Sequence, residues 1–336
     1  MSVQHTSSHR ISCLAVCFAL LTLALLSQPV MAALLINDSW ADGTRTNTNL
    51  PSDSADYVGI GSATGGSLTA STGKLAWVQG SSNEKLWTYF TSDLSAPNGS
   101  QPHNSVTQLN VGDTLTASAT FTLPNAITAS TTTPARDFRI GLFFDPSDPR
   151  VQADVNGDGG GTGNPWTDAT GYAVQIPLNS TLLTSTNLFQ LGKRTTSNTS
   201  LLGSSGAYTS ATAGGSQVAW QQNTSYTVQL SLSDISATRL DVTATLLQGA
   251  TVLSTQTVSD LGTSFGGAAI GSGLLPGSQS PYTNFDQMFF RMGSSAETSE
   301  IDFTNLQVSL ASVPEPASAA LLVVGCTGLV ARRRRR

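Results

Sequence analysis

The chain has 336 residues, with 16 basic and 21 acidic side chains and a formal net charge of −5. Between the first 32 and the last 24 residues stand 10 basic against 20 acidic groups, which argues against nucleic acid and anionic membrane surfaces as partners. That same stretch contains no cysteine, so disulfide frameworks, thiolate zinc sites and a cysteine nucleophile are excluded.

At the N-terminus, Arg10 precedes a nearly continuous apolar run over 11–26, and Val30-Met31-Ala32 follows. This order predicts a signal peptide over 1–32, cut before Ala33 by signal peptidase. A lipoprotein signal at Leu14-Ala15-Val16-Cys17 fits less well, because Val16 is too large for the residue before a lipidated cysteine.

Residues 33–312 form the body, expected as one β-domain. Period-two alternation recurs and helical periodicity does not. Leu115, Ala117, Ala119 and Phe121 alternate with threonines and a serine; Tyr226, Val228, Leu230 and Leu232 repeat the pattern, as do Leu240, Val242, Ala244 and Leu246. A turn at Gly249 and a strand over 252–258 complete the clearest hairpin. Further strands are expected at 74–78, 86–91, 137–144, 172–176, 188–193, 288–292 and 301–310. Many short strands between Gly, Ser, Asn and Pro clusters predict an all-β fold, a two-sheet antiparallel sandwich. Trp40-Ala41-Asp42-Gly43, a central strand at Arg139-Ile140-Gly141-Leu142-Phe143-Phe144 and a closing strand from Ile301 to Val308 resemble the concanavalin-like or laminin-G-like jelly roll. That resemblance implies a closing strand near the first.

Four chemistries are weighed against blander readings. Asp154, Asn156 and Asp158, with Gly159 after them, match the opening half of an EF-hand-type calcium loop, where oxygen ligands alternate. Pro165 stands where the bidentate glutamate is due, so the alternative is an Asx-rich surface loop. No cofactor other than calcium is suggested. Glu300-Ile301-Asp302-Phe303 resembles the catalytic strand of jelly-roll glycoside hydrolases, yet Thr304 and Asn305 follow and no second carboxylate stands at the needed spacing. A final edge strand accounts for those residues. His103 is the body's single histidine, in a loop without a nucleophile elbow. Trp40, Trp77, Trp87, Trp166 and Trp220, with Tyr89 and Tyr172, either present flat faces to sugar rings or fill the core. Trp166, beside the acidic loop, is the expected glycan contact. Tryptophans exposed together on one sheet would favour binding; buried ones would favour a structural body.

The tail over 313–336 has three parts. Val313-Pro314-Glu315-Pro316 precedes fifteen uncharged, mostly apolar residues over 317–331, and Arg332, Arg333, Arg334, Arg335 and Arg336 end the chain. A helix of that length spans about 22 Å against a hydrocarbon core of about 30 Å, and the arginines would stay in the cytoplasm. A plain C-terminal anchor is one reading. The order also resembles the PEP-CTERM sorting signal, which implies recognition of Pro314, Glu315 and Pro316 by an exosortase while the helix sits transiently in the inner membrane. Hosts of that family make extracellular polysaccharide. The resemblance therefore implies an exported, non-catalytic structural protein of the cell surface or matrix. The alternative function is a lectin-like carbohydrate-binding module, and a glycan-degrading enzyme is third.

Overall fold

A computed structural model describes residues 32–60, 66–80, 84–91, 106–129, 136–146, 150–156, 166–182, 187–203, 205–271, 275–293 and 298–313. The chain forms two units, Ala33–Leu310 and a second made of Met1–Ala32 with Ala311–Arg336; only the first is described at length.

In chain order the strands are β1 (Ala32–Asp38), β2 (Asp56–Ile60), β3 (Ser67–Ser71), β4 (Lys74–Val78), β5 (Glu84–Tyr89), β6 (Thr107–Gln108), β7 (Thr114–Thr122), β8 (Phe138–Phe144), β9 (Val155–Asn156), β10 (Thr170–Ile176), β11 (Gln190–Arg194), β12 (Tyr208–Ser210), β13 (Tyr226–Ser236), β14 (Arg239–Gln248), β15 (Thr251–Asp260), β16 (Ser264–Phe265), β17 (Ala268–Ala269), β18 (Asn284–Phe285), β19 (Gln287–Met292) and β20 (Glu300–Ala311). The first sheet runs β17-β16-β15-β14-β13-β7-β20-β4-β3, with β1 also on β20. The second runs β12-β11-β10-β8-β19-β5-β2-β9, antiparallel except for the parallel β2–β9 pair. The result is the two-sheet jelly-roll sandwich expected, with the closing strand beside the first.

Alternation explains the packing. In β13 every second residue from Tyr226 to Leu232 is buried, and β14 repeats this from Leu240 to Leu246. These residues meet Ile140, Leu142, Tyr172, Val174, Met288 and Phe290 of the second sheet in one core. On the opposite face of the first sheet, hydroxyls pair across strands: Thr116 with Ser231 at 3.0 Å, Thr243 with Thr257 at 2.9 Å. Such cross-strand pairs fix register as well as adding stability.

Two expectations are corrected. β20 is an interior strand between β7 and β4, not an edge, because the chain inserts its last strand into the first sheet. The C-terminal transmembrane helix is not carried forward: among the described residues no helix is long and apolar enough to cross a membrane. The segment proposed for it, 317–331, lies outside those residues, and its fifteen residues are short for a span.

Leu230 is fully buried and Thr243 is on the outer face. Leu230→Ala should cost about 2–5 kcal/mol in urea unfolding. Thr243→Ala should stay within about 0.5 kcal/mol of the parent.

Candidate functional site

The second sheet has an outer face whose side chains also leave water. Trp87 of β5 and Phe289 of β19 lie on neighbouring strands in register, and their rings stack at 5.6 Å with a 10° tilt. Trp166 meets both edge-on at 5.2 Å. Leu201, Leu202 and Ala207 pack on the same cluster, so segments 166–169, 201–203 and 205–208 roof this part of the sheet. The Trp87 indole N–H donates to Val151 O at 2.9 Å, tying the 150–156 segment down beside them.

Charged residues occupy the same face. Lys85, Arg291 and Arg139 stand directly opposite one another on β5, β19 and β8. Asp137 lies 3.5 Å from Arg291 and 4.0 Å from Arg139. Burial, and then the neighbouring Arg291, push the Arg139 guanidinium down to about 10. The Arg139 guanidinium also donates to Leu202 O at 2.7 Å, holding the roof. Arg150 lies 4.6 Å over the Tyr89 ring, donates to Thr91 O at 2.5 Å and sits 3.6 Å from the buried Asp286. Desolvated cations of this kind persist only when held by several acceptors at once.

At the rim the face opens to solvent. The half-buried Tyr57 lies 6.0 Å from Trp87, which backs it. Beside it, Arg45 grips Asp154 through two bonds, 2.6 and 3.1 Å, and donates to Asp56 O at 2.7 Å. Asp154 also accepts the Val58 N–H at 3.0 Å, while its side chain remains 43% exposed. Burial raises the Asp154 carboxyl, but Arg45 and the Val58 N–H outweigh it and hold the group below its ordinary value. Asp42 accepts from Thr44 and Asn47 nearby, which hold it low too.

The loop behind this rim hangs on Trp40. Its backbone takes a left-handed φ of 52°, its indole donates to Asp56 Oδ2 at 2.9 Å, and its own N–H donates to Asp38. Burial pushes Asp56 well above the ordinary carboxylate range, against the pull of the indole.

The expected site residues fare unevenly. Trp166 is 1% exposed and enclosed by Trp87 and Phe289, so it is corrected from a surface contact to a core residue. Trp40, Trp77, Trp87 and Trp220 are buried as well. Asp154 is on the rim but already paired with Arg45; Asn156 lies in β9 opposite Ile60. Asp158 and His103 lie outside the described residues, as do Pro314, Glu315, Pro316 and Arg332 to Arg336. Among the described residues no group of three or more metal-ligating side chains gathers. Glu300 accepts from Asn125 at 3.0 Å and Asp302 binds Lys74 at 2.9 Å, so each carboxylate has a structural partner. Sequence reading missed Tyr57 and the buried cations. Arg139 and Arg291 were visible as charges inside predicted strands, and Lys85 stood just before one; Tyr57 carried no signal.

Comparison with family models finds no match, and no curated protein matches either. The PEP-CTERM assignment is therefore withdrawn, and with it the exosortase and signal peptidase as partners, membrane attachment and the inner-membrane location; no membrane-crossing helix stands among the described residues. Solved structures similar to this chain include the exoplasmic/lumenal domain of VIP36 in its Ca2+/Man2-bound form, at 10% identity and TM-score 0.42, covering 84% of this chain and 90% of that one. Lectin I-B4 from Griffonia simplicifolia, metal-free, matches at 13% identity and TM-score 0.38, covering 84% and 100%. A carbohydrate esterase of the Shiga toxin-encoding bacteriophage phi24B matches at 9% and 0.38, covering 84% and 100%.

Because the folded Asp154 is held low, its contribution to stability is complete above the unfolded value of about 3.9 and is lost as pH falls through the folded value. The pair is partly exposed, so Asp154→Asn should cost no more than about 1 kcal/mol at neutral pH. Urea titrations should show that difference vanishing in acid.

Proposed function

We propose that this β-sandwich binds carbohydrate, without catalysis, at the rim formed by Tyr57, Arg45 and Asp154. The observation that carries the reading is the half-buried Tyr57 ring beside a fixed, partly exposed ion pair. A pyranose offers one apolar face and a ring of hydroxyls. An aromatic surface takes the first, and a carboxylate and guanidinium held in place take the second. Both polar groups are ordered before any ligand arrives, which lowers the entropic cost of binding. The acidic body would repel uronates and sulfated chains, so neutral sugars are the substrate class that fits.

Calcium at Asp154, Asn156 and Asp158 would have to displace Arg45 from Asp154. The guanidinium already orders that carboxylate in the way a cation would. Sugar binding should therefore persist when calcium is chelated.

A glycan array probed with the full chain, with and without calcium, tests the reading. Signal for neutral glycans in both arms is expected. Tyr57→Ala should weaken it at least tenfold while the thermal midpoint stays near that of the parent. No signal in either arm, or undiminished signal from the variant, would overturn the assignment.

A further inference from the structure

Away from the rim, the core between the sheets holds a charged pair with an unusual set of neighbours. Lys193 belongs to β11 in the second sheet, and Asp260 ends β15 in the first. Nζ of Lys193 lies 2.7 Å from Oδ2 of Asp260, and both side chains are fully buried. Aromatic rings enclose them: Tyr172 packs on Phe265, Tyr282 and Phe285 at 6.0, 5.6 and 6.2 Å, and Nζ stands 4.6 Å over the Tyr282 ring.

We propose that Lys193 and Asp260 condense into an amide that joins the two sheets covalently. Every part an acyl transfer requires is present. The nucleophile is positioned, because Nζ also donates to Ser278 O at 2.9 Å and Ser280 O at 2.8 Å. The acyl oxygen has a donor, because the Gly262 N–H reaches Asp260 Oδ1 at 2.8 Å. A proton source faces the departing oxygen, because the Tyr172 hydroxyl donates to Oδ2 at 2.5 Å. Gly262 is required at its place: its φ is 77°, and a Cβ there would meet Gln279 O at 2.5 Å.

The step balances without any further reagent. One proton passes from the ammonium to Oδ2, giving a neutral amine and a neutral acid. Burial pushes the Lys193 ammonium down, against the pull of Asp260, in the direction this transfer needs. The amine lone pair attacks Cγ, and the negative charge that develops on Oδ1 meets the Gly262 N–H. Tyr172 gives its proton to the Oδ2 hydroxyl and recovers one from the nitrogen. The C–N bond forms, the C–O bond breaks, and one water leaves. Holding both groups in contact supplies the effective concentration that amide formation in water lacks.

The consequence fits the composition. A chain whose body has no cysteine would gain a sheet-to-sheet staple by another chemistry.

Trypsin digestion of the denatured full chain with peptide mass mapping decides the matter. Fragment 151–194 should appear joined to fragment 240–291, uncut after Lys193, and lighter than their sum by one water. Asp260→Ala should release both as linear peptides, and Asp260→Asn should give the same branched product with loss of ammonia. Linear peptides cut after Lys193 in the wild-type digest would show an ion pair only and overturn the proposal. That readout needs no variant to fold, and it is independent of the sugar array.

Discussion

Two sheets without a disulfide between them depend first on the side chains of their facing surfaces remaining dry. Here that burden falls on the alternating β7, β13 and β14 on one side and on β8, β10 and β19, buried on both faces, on the other. Their outward residues are free to do something else. On the first sheet they form hydroxyl pairs; on the second they form a further buried layer of aromatics and cations.

That second layer decides where a ligand can bind. Trp87, Phe289 and Trp166 are committed to each other, the roof above them is held by Arg139, and the Trp87 indole ties the 150–156 segment beside them. Among the described residues, Tyr57, Val151 and Val155 are its partly buried members, with Tyr57 as the ring among them. The binding site proposed above therefore lies at the rim because of packing rather than any loop signature. The tryptophans that drew attention in the sequence serve stability.

Most of the sandwich was legible in the sequence because alternation is a local signal. β13, β14 and β15 fall close to where the pattern puts them. β1 was not legible, because Leu34, Leu35 and Ile36 continue the apolar composition of the preceding segment. β3, Ser-Leu-Thr-Ala-Ser, is an exposed edge with a single buried leucine, too little to show a period. The candidate site was harder still: Arg45 and Asp154 are 109 positions apart, and only the parallel β2–β9 pairing brings their segments together. Lys193 looked like the polar end of a strand. Its burial follows from tertiary partners in 260–282 that no local window contains.

The chain contains only three lysines, Lys74, Lys85 and Lys193, and two of them are fully buried. Lys74, 41% exposed beside Asp302, is the one side-chain amine of the body that a reagent in solution can reach. It sits on β4 of the first sheet, just after the turn that the Trp40 loop packs against, where the Gly73 N–H donates to Trp40 O at 2.9 Å. Among its side-chain amines, Lys74 alone could tether the folded body to a surface.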